Sequence, residues 1–104
     1  MISWDRVNEL RREVGEEDFA EVVTIFLDEV ETVLGRMAGA SGPDSYREDL
    51  HFLKGSALNL GFRAVAALCD DKGAAARSGS VRHVADIRQI YERSKIEFLA
   101  RAGV

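Results

Sequence analysis

With 104 residues, the chain has room for one domain around a single hydrophobic core and none for a second domain of ordinary size. Apolar residues at 46% and charged residues at 31% exclude the profile of a disordered chain, and a formal net charge of −4 gives no overall attraction to nucleic acid or anionic lipid. The single cysteine, Cys69, has no partner for a disulfide or a structural zinc site, and no apolar run approaches the ~20 residues a membrane span needs. A reducing cytoplasm fits these features. The opening residues, Met1 to Glu9, carry Asp5 and Glu9 where an export signal has its apolar core. The expectation is a freestanding, cytoplasmic, single helical domain over residues 1–104.

The first predicted helix runs from about Ser3, a candidate N-cap, to Val14, with Val7, Leu10 and Val14 in an apolar row. The second, Glu17 to Met37, repeats Phe19, Val22, Val23, Phe26, Val30, Val33, Leu34 and Met37 on one face behind an acidic first turn. A break follows at Gly39-Ala40-Ser41-Gly42-Pro43. The third helix starts near Asp44 or Ser45, either of which can cap it, and ends at Leu60, where Gly61 offers a left-handed stop. The fourth is predicted from Phe62 to Arg77 through Val65, Leu68 and Cys69, with Gly73 as a weak point. After Ser78-Gly79-Ser80, a fifth capped by Ser80 runs from Val81 to Arg101 with Val84, Ile87, Tyr91 and Phe98 in one stripe. No strand-like alternation is sustained. The expected fold is all-α: an antiparallel four-helix bundle with a short additional N-terminal helix.

The chemistry concentrates on the third helix. With His51 at zero and roughly 100° per residue, Leu53, Leu60, Tyr46 and Ala57 fall between about 180° and 240°, which is the core side. Arg47, Lys54, Gly55 and Leu58 fall within about 60° of His51, on the side facing water. An exposed neutral imidazole has a nucleophilic ring nitrogen, and Lys54 and Arg47 place positive charge one turn to either side, which suits a phosphorylated histidine. An exposed histidine, lysine and arginine would also suit an ordinary solvated face. Gly55 and Leu58 weigh against that reading: a mid-helix glycine removes bulk where a partner would approach, and an exposed leucine suits a docking surface. Asn59, at the flank, adds a hydrogen-bonding group.

The run His51-Phe52-Leu53-Lys54-Gly55-Ser56-Ala57-Leu58-Asn59-Leu60-Gly61-Phe62 closely resembles the signature of histidine phosphotransfer (HPt) domains, in which His-x-Leu-Lys-Gly-Ser leads to Asn-x-Gly. The resemblance implies that His51 accepts a phosphoryl group at Nε2, that Lys54 steadies its charge, and that Gly55 makes room for a receiver domain. Ser56 is expected to have a structural role near the site, as is Gly61. Arg47, Leu58, Asn59 and Arg63 are candidate docking residues. Many family members carry Glu or Gln on the adjacent helix where this chain has Gly73, so Asp70, Asp71 or water is left to orient the imidazole.

The function implied is that of a phosphorelay intermediate in two-component signalling, taking phosphate from a receiver-domain aspartate and passing it to another. The expected partners are response-regulator receiver domains and a hybrid histidine kinase. The chain is expected to be monomeric and to hold no cofactor or metal, with Mg²⁺ supplied by the partner receiver. It has no P-loop and no room for an ATP-binding domain, which argues against an autonomous kinase. No metal-ligand spacing joins His51, Cys69 and His83: Cys69 is expected in the core, His83 at the surface, and Trp4 against the first helix. The alternative function is a helical adaptor that binds a receiver or kinase without carrying phosphate.

Overall fold

A computed structural model of the chain describes the backbone of residues 1–39, 43–70 and 72–103, and the side chains of residues 1–39, 45–70 and 82–103. Five helices and no strand lie among these residues: α1 (Trp4–Val14), α2 (Glu16–Ala38), α3 (Pro43–Leu60), α4 (Arg63–Cys69) and α5 (Lys72–Ala102). The expected all-α bundle is present. None of the described helices is long and apolar enough to cross a membrane.

The amphipathic stripes do what their spacing predicts. Phe19, Val23, Leu27, Val30, Leu34 and Met37 of α2, Leu53, Ala57 and Leu60 of α3, and Val84, Ile87, Tyr91 and Phe98 of α5 meet in one buried core. Each large apolar side chain so buried contributes about 1.5–3 kcal/mol relative to exposure. Polar ties fix the helices against one another at the core's edge. Arg36 of α2 pairs with the buried Asp49 of α3 at 2.6 Å, and Glu31 of α2 accepts from Lys95 at 2.6 Å and from the Tyr91 hydroxyl at 2.7 Å on α5. Hydrogen bonds from Lys95 and then Tyr91 hold the Glu31 carboxyl below its ordinary range.

Short connections decide the register. Ser3 caps α1 by accepting from the Arg6 N–H at 3.4 Å, as predicted. At the end of α3, Gly61 has φ +83°, and a Cβ there would come within 2.7 Å of the Ser3 carbonyl. Only glycine fits both that backbone and that contact. The N-terminal segment is strapped across this turn, with the Ser3 N–H donating to Gly61 O at 2.7 Å and the Ala64 N–H to Met1 O at 3.2 Å. Trp4 stacks on Phe98 with centroids 6.0 Å apart, the packing role expected of it.

Three boundaries differ from the sequence reading. Helix α3 begins at Pro43, so Asp44 and Ser45 lie in its first turn instead of capping it, and the capping position is outside the described residues. Proline suits a first helical position because its missing N–H has no helical partner there. The predicted fourth helix is split: its first half is the seven-residue α4, and its second half belongs to α5. The 31-residue α5 runs through Ser78-Gly79-Ser80 without a break, so Ser80 is no cap. A glycine in mid-helix costs only about 1 kcal/mol, which continuous packing of the stripe downstream outweighs. The break falls instead between Cys69 and Lys72, where the acidic Asp70 is unfavourable at the end of the preceding helix.

Candidate functional site

Helix α3 turns its apolar face inward and His51 outward. Leu53, Ala57 and Leu60 are buried, whereas His51, Arg47, Gly55, Leu58 and Asn59 are exposed and Lys54 is half-buried, as the helical wheel places them. Among the described residues no hydrogen bond reaches the His51 ring, and the ring is exposed to an incoming group. A shallow depression beside it is lined by Arg47, Leu50, His51, Lys54, Cys69 and Asp70. Among the described residues nothing lies within 4 Å of where a Gly55 Cβ would stand, and Gly55 packs closely against none of them. Leu58 is 51% exposed, an apolar side chain only partly covered by the protein.

The electrostatics of the depression include one arrangement the sequence reading did not weigh. Lys54 Nζ lies 3.0 Å from Asp70 Oδ1, so the carboxylate considered as a partner for the imidazole is engaged by the lysine instead. Asp71, the other candidate, lies outside the described residues, as does any side-chain account of the segment around Gly73. The Cys69 thiol is buried beneath the depression, and burial pushes its pKa up to about 12, which keeps it protonated and unreactive at neutral pH.

Ser56 is buried on the flank of α3, consistent with a structural place, and Gly61 forms the turn that ends the helix. Arg63 is exposed at the start of α4. The Asn59 carbonyl accepts from Arg6 Nε at 3.1 Å, which ties the site helix to α1. Phe52, 38% exposed beside His51, was not singled out from the sequence. Its position next to a water-facing residue on an amphipathic helix was the available signal.

His83 is the clearest correction. It is fully buried, not at the surface. Its Nε2 donates to the Leu68 carbonyl at 2.8 Å, and because a carbonyl can only accept, Nδ1 of the neutral ring accepts from the Tyr46 hydroxyl. This clamp joins α3, α4 and α5 through Tyr46 and Leu68, the chain neighbours of Arg47 and Cys69, which line the depression. Burial raises the pKa of the Tyr46 phenol. The pattern contained the answer: His83, Ile87 and Tyr91 follow at four-residue steps, on the buried stripe of α5.

Among the described residues no cluster of three or more His, Cys, Asp or Glu is placed to hold a metal. The site helix thus presents an exposed histidine with no hydrogen-bond partner among the described residues, cations one turn to either side and a glycine beside it. Residues 21–97 match the family described as Hpt domain, and the chain belongs to that family. Its members are phosphocarriers, not kinases, and relay phosphoryl groups on histidine in two-component signalling together with receiver domains and kinases. Comparisons with the curated proteins and with the solved structures return no match.

Proposed function

We propose that His51 is the phosphoryl acceptor of a phosphorelay, loaded from the aspartyl phosphate of one receiver domain and discharged to the aspartate of another. The observation that carries this reading is the exposed His51 ring with no partner among the described residues, on the face of α3 that also holds Lys54, Arg47 and Gly55. The lone pair of Nε2 attacks phosphorus in line with the bond to the aspartyl oxygen. The P–N bond forms as the P–O bond breaks, and the aspartate leaves as a carboxylate. The reverse movement discharges the histidine onto the second receiver.

Lys54 and Arg47 supply positive charge to the transferring group and complement the acidic pocket of a receiver, whose Mg²⁺ belongs to that partner. Gly55 leaves clearance for the approaching aspartate. Leu58 and Phe52 offer apolar contact, and Asn59 and Arg63 polar contact, around it. The protein contributes position and charge instead of a nucleotide site.

Incubation with a phosphorylated receiver tests this directly. Wild type gains an acid-labile phosphoryl group on His51, and His51→Gln gains none while melting as wild type does. An adaptor would bind the receiver and remain unphosphorylated, and that outcome would replace the proposal.

A further inference from the structure

We propose that Asp70 is a resident counter-ion that holds Lys54 in the unphosphorylated protein and competes for it with the phosphoryl group, so that Asp70 limits how stable phosphorylated His51 becomes. This rests on His51 being the acceptor. The pair is direct, with Lys54 Nζ 3.0 Å from Asp70 Oδ1, and both residues line the depression that includes His51. The lysine is therefore already committed when phosphate arrives.

The two partners differ in freedom. Lys54 carries its charge on a four-carbon stem that can swing, whereas Asp70 has a short side chain on a turn held from behind. The Asp70 N–H donates to the Ala66 carbonyl at 3.2 Å, and two residues earlier the Leu68 carbonyl accepts from the buried His83 at 2.8 Å. The anion has an anchored backbone and a short reach, and the cation has the longer swing. A phosphoryl group on His51 brings a charge of about −1.5 to −2 one helical turn from Lys54, a stronger attraction than a single carboxylate offers. Lys54 then turns from Asp70 toward the phosphoryl oxygens, leaving the Asp70 carboxylate as a rival for the same ammonium. Arg47, the other cation lining the depression, has no ion-pair partner among the described residues and needs no such exchange.

This exchange predicts that removing the charge of Asp70 stabilises the phosphorylated state. Because both side chains are partly exposed, at 39% and 62%, the effect is modest. A pair of this exposure shifts an equilibrium or lifetime by about 1.5- to 5-fold, less at high salt.

The test uses phosphoramidate, a donor small enough to need no docking surface. Its P–N bond breaks, a P–N bond to the imidazole forms, and ammonia leaves with the proton displaced from the ring as ammonium. After donor removal, the first-order loss of phosphoryl-His51 is followed in wild type, Asp70→Asn, Lys54→Met and the double variant, at low and at 1 M salt, with thermal melts to verify folding. Asp70→Asn should lengthen the lifetime about 1.5- to 5-fold at low salt, and the gain should vanish in the Lys54→Met background. A purely structural role for Asp70 has no reason to depend on both Lys54 and salt. An unchanged or shorter lifetime in Asp70→Asn overturns the proposal while leaving the acceptor role of His51 standing, as does an equal gain without Lys54. Absence of phosphoryl-His51 from every variant sinks the acceptor reading and this inference with it.

Discussion

The two histidines of this chain occupy opposite kinds of environment. His51 stands in water with no hydrogen-bond partner among the described residues, while His83 is fully buried and has a partner on each ring nitrogen. A satisfied ring has no lone pair to offer and cannot turn, so burial makes His83 a brace. Exposure makes His51 available as a nucleophile. The same side chain thus serves two ends, with the buried ring tying α3 and α4 to α5 and the exposed ring lining the depression.

Substitution should separate the two regions sharply. His83→Ala leaves the Tyr46 hydroxyl and the Leu68 carbonyl without their partner and opens a cavity, which should cost about 2–4 kcal/mol in chemical denaturation. His51→Gln should change stability by less than about 0.5 kcal/mol. Comparable losses at the two positions would erase the distinction. The glycines extend the comparison with a somewhat smaller effect. Gly61→Ala, forced into a left-handed backbone against the Ser3 carbonyl, should cost about 2–3 kcal/mol. Gly55→Gln, facing open space, should gain up to about 1 kcal/mol in helix propensity and yet slow transfer from a receiver. Normal transfer by the stable Gly55 variant would remove the need for close approach at that point.

The smallest cost among the packing contacts belongs to the far end of the clamp. Tyr46→Phe removes one hydrogen bond and should cost about 1 kcal/mol at neutral pH. Because burial raises the Tyr46 pKa above its ordinary value of 10.0, its contribution is complete below that value and is lost as pH rises through the raised one. The variant should therefore show less alkaline destabilisation than wild type in unfolding measured across that range. Identical alkaline behaviour would mean that Tyr46 stays protonated there or that its bond to His83 contributes nothing.

Helix α3 was legible in advance because its inward and outward residues alternate at helical spacing and its end is marked by a glycine with a steric reason to be there. The same arithmetic, carried to α5, would have placed His83 on the buried stripe with Ile87 and Tyr91. Polarity argued the other way, and a buried histidine is recognised only once its two partners are known. The α4–α5 boundary was misplaced because Ser78-Gly79-Ser80 is a stronger local break signal than Asp70-Asp71, and local propensity lost to the packing of the long helix. The Lys54–Asp70 pair joins residues on different helices, so no periodicity within one helix predicts it.

The strap across the end of α3 has a consequence for the order in which the molecule can assemble. Met1 and Ser3 hydrogen-bond to Ala64 and Gly61, so these residues close a loop of about sixty positions and must wait for that turn to leave the ribosome. Until then the Gly61 carbonyl and the Ala64 N–H do not yet exist, and Ile2, buried in the finished protein, has no site to enter. The segment ahead of α1 is thus bound to be a late arrival in folding, and α1 settles only after the helix bearing His51 has been completed.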